Sequence, residues 1–146
     1  MSGFTEQQID FMRQACLLCD NSCLEVRTGC LVVREPSLIE DGSGLRTVRI
    51  EGWNKSVHGL ASENQDLIHA EQMVVNRALN FGISLKNATV YVTRFPCNRC
   101  SSLLVEQGIT RIFYMSDHFT GGNSSLNFLE KQGVTVIQLP EEEVWK

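Results

Sequence analysis

Two short stretches of the chain combine side chains that could bind a metal ion and move protons. The first, His69-Ala70-Glu71, offers an imidazole and a carboxylate, and the second, Pro96-Cys97-Asn98-Arg99-Cys100, offers two thiols. One imidazole and two thiolates are the protein ligands that leave a catalytic zinc ion with one open position. We therefore predict a Zn²⁺ ion held by the imidazole and both thiols, with the carboxylate beside it to transfer protons.

The spacing of these residues supports the proposed roles. Cys97 and Cys100 are three positions apart at the predicted start of a helix, so both thiols face one side. The helix N-terminus also favours their negative charge. Glu71 follows His69 by two positions, an offset that points the two side chains apart on a helix. We therefore expect His69, but not Glu71, to bind the metal ion, and Glu71 to reach a metal-activated water from the flank.

Three other interpretations of these stretches remain open. A CxxC pair after a strand is also typical of thioredoxin-like redox proteins, although that chemistry does not need a His-x-Glu pair. A structural zinc site would normally be closed by a fourth ligand, for which His58 and His118 are the available histidines. The chain could also be an inactive, zinc-stabilised binding module, a role that would not require Glu71.

Apolar periodicity and helix-breaking residues define the elements that must position these side chains. Apolar positions spaced by three and four predict a first helix over 5–24, with a capping box between Thr5 and Gln8. Gly82 is a natural helix stop. The remaining elements are predicted as helices over 68–81, 97–107 and 124–132, and as strands over 28–34, 47–53, 88–93, 109–115 and 134–139.

This order of elements predicts one α/β domain over residues 1–146. Its architecture is a three-layer α/β/α sandwich around a five-stranded mixed sheet. A hairpin opens the sheet, and helical crossovers then connect parallel strands. The last strand could pair in either direction. The polar segment between 55 and 67 is predicted as a loop, and the C-terminal sequence EEEVWK as a short acidic tail.

Composition narrows the class of partner. The chain has 13 Lys and Arg against 17 Asp and Glu, and its net charge of -4 argues against nucleic acid as a partner. Its apolar runs are too short to span a membrane, and its N-terminal segment lacks the pattern of a signal peptide. Six cysteines without an export signal predict reduced thiols and a cytoplasmic location.

Four of the six cysteines lie outside the proposed metal site. Cys16, Cys19 and Cys23 share one face of the first predicted helix, and Cys30 lies in a predicted buried strand. Four thiols could form a second zinc site. Free cysteine is among the most buried residue types, so we favour core packing for them.

The motifs of the chain, taken in order, resemble the zinc-dependent cytidine and deoxycytidylate deaminase superfamily, whose signature is H-x-E followed by P-C-x-x-C. The resemblance covers most of the domain and is carried by Gly52-Trp53-Asn54, His69-Ala70-Glu71, Tyr91-Val92-Thr93 and Phe95-Pro96-Cys97-Asn98-Arg99-Cys100. It implies hydrolytic deamination of a base, with His69, Cys97 and Cys100 as zinc ligands and Glu71 as the proton shuttle. It also implies a homo-oligomer, a dimer or higher.

The resemblance implies substrate contacts as well. Asn54 would approach the sugar, or the base where no sugar is present, and the backbone near Ala70 and Phe95 would read the polar edge of the base. By their charge, and not by the resemblance, four residues are candidates to bind a 5′-phosphate, namely Lys55, Arg94, Arg99 and His118. For each of them a solvated surface charge is the alternative. Phe119 could stack on the base or the ribose, although we favour an ordinary place in the core for this aromatic side chain.

Within the superfamily, residues 91–100 and Tyr114-Met115-Ser116-Asp117 most resemble deoxycytidylate deaminases. Those enzymes usually carry a longer insertion before His-Ala-Glu, and they have Gly-Tyr-Asn where this chain has Gly52-Trp53-Asn54. The short segment from 55 to 68 is more like tRNA adenosine deaminases. We therefore expect dCMP as the substrate, with tRNA adenosine, or free cytosine, cytidine or guanine, as alternatives.

Overall fold

The fold is taken from a computed structural model of the chain. It describes residues 3–24, 26–35, 47–56, 67–116 and 124–145. The sequence-based roles of His58, His118 and Phe119 fall outside the described residues.

Within the described residues, the chain forms α-helices and strands in an order close to the predicted one. The α-helices are α1 (Glu6–Leu18), α2 (Ala70–Phe81), α3 (Asn98–Glu106), α4 (Ser124–Lys131) and α5 (Glu141–Val144), and a 3-10 helix, Cys19–Asn21, follows α1. The strands are β1 (Gly29–Arg34), β2 (Val48–Trp53), β3 (Lys55–Ser56), β4 (Leu67–Ile68), β5 (Thr89–Arg94), β6 (Arg111–Ser116) and β7 (Thr135–Gln138). None of the described helices is both long and apolar enough to cross a lipid bilayer.

Five of the strands form one mixed sheet in the order β2-β1-β5-β6-β7. Strand β1 is antiparallel to both of its neighbours, whereas β5, β6 and β7 are parallel to one another. The predicted five-stranded mixed sheet is confirmed, and the direction of the last pairing, which the sequence left open, is parallel.

Helices cover both faces of this sheet, which gives the three layers predicted from the sequence. Along β1, Cys30 and Val32 belong to the apolar cluster under α2, whereas Leu31 and Val33 belong to the cluster under α1. Because both faces of the strand are buried, its sequence is a continuous apolar run without alternation.

Three short elements among the described residues, β3, β4 and α5, were not predicted. Strands β3 and β4 pair through Lys55 and Ile68 in a segment predicted as a loop, because two-residue strands leave no periodicity to detect. Helix α5 lies in the segment predicted as an acidic tail. Its Val144 is fully buried against the α1 face, and Arg13 Nε donates a hydrogen bond to the Val144 carbonyl at 2.7 Å.

Several helix ends follow the predicted capping signals, but the first helix is shorter than the predicted 5–24, because α1 ends at Leu18 and a 3-10 helix follows it. Thr5 and Gln8 form the capping box at the start of α1, with both hydrogen bonds at 3.0 Å. Gly82 ends α2 in the left-handed conformation at φ 66°. Helices α2 and α3 begin slightly later than predicted, because His69 and Cys97 are extended N-cap residues outside the first helical turn.

Gly52 allows the first turn of α2 to pack directly on β2. A Cβ atom at this position would lie 2.5 Å from the Ala70 carbonyl oxygen and 2.8 Å from Val74 Cγ2. The backbone of α2 therefore approaches the sheet more closely than any larger residue would permit. This contact fixes the helix next to its N-cap residue, His69.

We predict that Gly52→Ala lowers the free energy of unfolding by about 1–3 kcal/mol, because the added methyl group pushes α2 away from β2. The same shift moves His69, so the variant should also retain less zinc. Urea unfolding and the zinc content of the purified protein measure the two effects. The control is Gly3→Ala, whose Cβ meets nothing within 4 Å. Wild-type stability and zinc content in Gly52→Ala would contradict this packing argument.

Candidate active site

The two stretches that the sequence singles out meet where α2 and α3 begin. His69 is the N-cap residue of α2, Cys97 is the N-cap residue of α3, and Cys100 lies in the first turn of α3. The His69 backbone N–H donates to Gln72 Oε1 at 2.8 Å, which fixes the start of α2. Since α2 and α3 contact each other on one face of the sheet, their first residues lie side by side.

The three potential ligand atoms lie at distances suited to a shared metal ion. His69 Nδ1 is 3.3 Å from Cys100 Sγ and 3.8 Å from Cys97 Sγ, and all three atoms lie within 4.8 Å of one another. Nitrogen and sulfur ligands of one tetrahedral zinc ion are roughly 3.5–3.8 Å apart. Among the described residues, no other group of three or more His, Cys, Asp or Glu meets this condition.

The donor set fits zinc in its chemistry as well as its spacing. One imidazole and two thiols are ligands that zinc accepts, and three protein ligands leave a fourth position for water or substrate. Cys100 is fully buried, His69 is half-buried and Cys97 is exposed. The group can therefore be approached from the side of Cys97.

The charges of the two thiols differ strongly. Hydrogen bonds from the Cys100 thiol and from His69 lower the pKa of Cys97 to about 3. The pKa of Cys100 is raised, because its thiol donates to Cys97 and because it is buried. The pKa of His69 is raised mainly by its hydrogen bond with Cys97. One thiolate is thus available at neutral pH, and metal binding would remove the proton from the other thiol.

Glu71 is a buried carboxyl group beside this cluster. Its side chain is only 4% exposed, in the first turn of α2. Burial raises its pKa to about 7, and the negative charge of Cys97 adds to this effect, while its own backbone N–H, His69 and Arg94 oppose it. A carboxyl group with a pKa near 7 can both accept and donate a proton at neutral pH, as a general acid–base catalyst must.

The remaining cysteines do not form the four-thiol site considered from the sequence. Cys30 is fully buried in the cluster under α2, and the pKa of its thiol is well above the usual value because of burial and the charge of Glu71. Cys16 packs against the cluster on the opposite face of the sheet, and Cys23 is exposed. The sheet therefore separates Cys30 from Cys16.

Asn54 lies next to the site but is also a structural anchor. The pairing of Lys55 with Ile68 sets Asn54 across from His69. Its side-chain oxygen accepts from the Thr28 N–H at 2.8 Å, and its Nδ2 donates to the Val26 carbonyl at 2.7 Å. These two bonds were not predicted, because nothing in the local sequence pattern pairs residue 54 with residues 26 and 28.

The backbone groups of Phe95 and Ala70, predicted to contact the base, already have partners within the protein. The Phe95 N–H already donates to the Ser116 carbonyl at 2.8 Å, and the Phe95 ring packs edge-on against Tyr114 with the ring centroids 4.8 Å apart. The carbonyl of Ala70, a buried residue, faces Gly52. The Phe95 N–H and the Ala70 carbonyl are therefore already engaged within the protein, which leaves fewer backbone groups near these residues to form hydrogen bonds with a base.

Two of the predicted phosphate-binding cations lie within electrostatic range of the cluster. The pKa values of Glu71 and His69 are both raised, and the positive charges of Arg94 and Arg99 partly offset these rises at Glu71 and His69 respectively. Lys55, the third described candidate, does not contribute to the pKa shift of Glu71 or His69. It lines a shallow groove along α2 with Arg77 and Asn80.

Asn98, in the middle of the second stretch, joins α3 to α4. Its Oδ1 accepts hydrogen bonds from Ser125 Oγ at 2.5 Å and from Ser124 Oγ at 3.3 Å. This contact was not predicted from the sequence. The only available signal was an amide next to Cys97 and a serine pair at the predicted start of a later helix.

Comparison with known proteins agrees with this geometry. The family described as "Cytidine and deoxycytidylate deaminase zinc-binding region" matches residues 5–116. ComE operon protein 2 of Bacillus subtilis (strain 168) is 29% identical over 136 residues, covering 92% of this chain and 71% of that protein. Deoxycytidylate deaminase of Enterobacteria phage T4 is 27% identical over 112 residues, covering 77% of this chain and 57% of that protein.

Solved structures share the fold. The dCMP deaminase of cyanophage S-TIM5 in apo form has a TM-score of 0.75 at 22% identity, covering 95% of this chain and 100% of that chain. The complex of that enzyme with dCMP and dUMP has a TM-score of 0.74 at 21% identity. The family match spans most of the chain and includes both stretches that meet at the candidate site. The chain therefore belongs to the cytidine and deoxycytidylate deaminase family of zinc-dependent hydrolytic deaminases.

Proposed function

We propose that this chain deaminates a cytosine nucleotide by zinc-dependent hydrolysis, with dCMP converted to dUMP and ammonia as the leading reaction. The observation that carries the proposal is a buried carboxyl group, Glu71, beside three converging metal-binding side chains. A site that served only to stabilise the fold would have no need of a buried acid with a pKa near 7.

The metal ligands in this proposal are His69, Cys97 and Cys100. When bound at such a site, zinc acts as a Lewis acid that lowers the pKa of a water molecule. The two thiolates offset the charge of the ion, and the exposed side of Cys97 leaves an approach for the substrate. The described residues offer no fourth His, Cys, Asp or Glu ligand in this group, which favours a catalytic site over a closed structural one.

Glu71 moves the protons of the reaction. It accepts a proton from the attacking water and donates one to the ring nitrogen of the cytosine. It then carries a proton from the added hydroxyl group to the amino group. The bond between the ring carbon and this nitrogen breaks, which leaves a ring carbonyl and releases ammonia. A carboxyl pKa of about 7 allows Glu71 to perform both transfers at neutral pH.

Positive charge near the site supports a phosphorylated substrate. Arg94 and Arg99 act electrostatically on Glu71 and His69, so both are within range of an anion bound there. We propose that one of them binds the 5′-phosphate, and that Asn54 approaches the sugar from its position across from His69. His118 for the phosphate and Phe119 for base stacking belong to the same proposal.

The net charge of -4 favours a small nucleotide over a tRNA as the substrate.

We also propose that the chain acts as one deaminase domain over residues 1–146 and as a homo-oligomer. All six cysteines are free, which supports a reducing compartment such as the cytoplasm.

Ammonia release from a substrate panel tests the proposal. The zinc-loaded protein is expected to turn over dCMP in preference to CMP, cytidine, cytosine, guanine and an adenosine-bearing tRNA stem-loop. Glu71→Gln, which keeps the shape of the side chain but cannot transfer the proton, should retain zinc and lose activity by about 10²-fold or more. The matched control is Glu106→Gln, on the exposed side of α3, with wild-type activity expected.

Each unfavourable outcome of the panel has a distinct meaning. Full activity in Glu71→Gln would contradict the role of this carboxyl group. Turnover of the tRNA stem-loop alone would contradict a nucleotide substrate while leaving the deaminase chemistry intact. Bound zinc without turnover of any member of the panel would contradict the proposed reaction.

We predict that Asn54→Ala lowers the free energy of unfolding of the substrate-free protein by about 1–3 kcal/mol, because it removes two hydrogen bonds to the Val26–Thr28 segment. Urea unfolding measures this loss, with the exposed Asn127→Ala on α4 as the control. Wild-type stability in Asn54→Ala would show that its amide serves the substrate alone.

A further inference from the structure

A second group of sulfur atoms lies on the face of the sheet opposite the candidate zinc site. The Cys16 thiol, on α1, donates a hydrogen bond to the Met115 sulfur, on β6, with the two sulfur atoms 3.6 Å apart. Cys19, the C-cap residue of α1, has its sulfur 3.7 Å from Thr93 Oγ1 on β5. The Cys19 sulfur also lies 4.0 Å from the Ala15 carbonyl oxygen. Cys16 thus contacts Met115 directly, and Cys19 lies close enough to Cys16 to affect its pKa.

The fold brings these residues together by simple register. Tyr91 on β5 pairs with Phe113 on β6, and both side chains lie in the cluster under α1. Thr93 and Met115 follow two residues later on the same strands, so they point to the same face. Cys16 and Cys19 are about one helical turn apart at the end of α1, directly over these two positions.

The environment of the thiols disfavours nucleophilic chemistry, and a bound cation would have to displace both thiol protons. Burial and the neighbouring Cys19 raise the pKa of Cys16 to about 11, and burial also raises the pKa of Cys19. Both thiols are therefore protonated at neutral pH and react slowly as nucleophiles. Each is only half-buried, so that an ion can reach them from the solvent.

We propose that Cys16, Cys19 and Met115 form a binding site for Cu(I). Thiolate and thioether ligands select this soft, monovalent ion, whereas zinc would more often be held by four ligands that include nitrogen or further thiolates. One Cu(I) ion binds two thiolates and one thioether, and two protons pass from the thiols to the solvent. The ion keeps its oxidation state, and the reaction consumes no oxidant or reductant.

This site shares no residue with the candidate zinc site. Cys30, whose thiol faces the zinc side, and Cys23, which is exposed, are not part of it. Copper binding should therefore leave zinc in place, and a failed copper experiment would leave the proposed deaminase function standing.

Anaerobic titration of the zinc-loaded protein with Cu(I), in competition with a chromophoric Cu(I) chelator, tests the proposal. We expect uptake of one Cu(I) per chain without release of zinc, the latter followed with a zinc indicator. Met115→Leu, which conserves the side-chain volume, should weaken Cu(I) binding by about tenfold, and Cys16→Ser by about 100-fold. Cys23→Ser removes a thiol outside the group and should bind Cu(I) as the wild type does.

Thermal unfolding and mass spectrometry distinguish the loss of a copper ligand from misfolding and from oxidation of the thiols. The variants are compared by thermal unfolding, so a loss of binding without a loss of folding identifies a ligand. Copper uptake with an equal release of zinc, or equal Cu(I) affinity in Met115→Leu, Cys16→Ser and the wild type, would overturn the proposal. A disulfide between Cys16 and Cys19 in the anaerobically purified protein, detected by mass spectrometry, would overturn it too.

Discussion

The meeting of two helix N-termini on one face of the sheet is the constraint on which the candidate site depends. His69 and Cys97 each precede the first turn of a helix, so the close packing of α2 and α3 brings a ring nitrogen and two sulfur atoms together. Gly52 contributes to the position of α2, because the absence of a side chain lets the Ala70 backbone pack directly against β2. The metal-binding geometry is thus a consequence of backbone packing in the core.

The same packing determines the charge of the site. The first turn of α2 buries Glu71 between the sheet and the thiols, where burial raises its carboxyl pKa towards neutrality. Cys97 has the opposite shift, because hydrogen bonds from Cys100 and His69 stabilise its thiolate. A carboxyl group suited to proton transfer and a thiolate suited to metal binding therefore arise side by side from two different environments.

Local signals in the sequence predicted those parts of the fold that depend on neighbouring residues. The capping box of Thr5 and Gln8 and the left-handed Gly82 are examples, since each is decided within four residues. Short elements such as α5 were not predictable, because four residues give no period. The buried Val144 side chain and the distant Arg13, which donates to the Val144 carbonyl, hold α5 in place. The bonds of Asn54 to residues 26 and 28 depend on strand register, which no local pattern encodes.

X-ray absorption at the zinc edge tests most directly whether His69, Cys97 and Cys100 hold zinc with one position open. For the zinc-loaded protein we expect two sulfur ligands at about 2.3 Å and two lighter ligands, one imidazole and one solvent oxygen, at about 2.0 Å. Replacing either thiol, as in Cys100→Ser, should remove one sulfur from the spectrum or abolish zinc binding. Four sulfur ligands, or an unchanged spectrum in both Cys97→Ser and Cys100→Ser, would contradict this site.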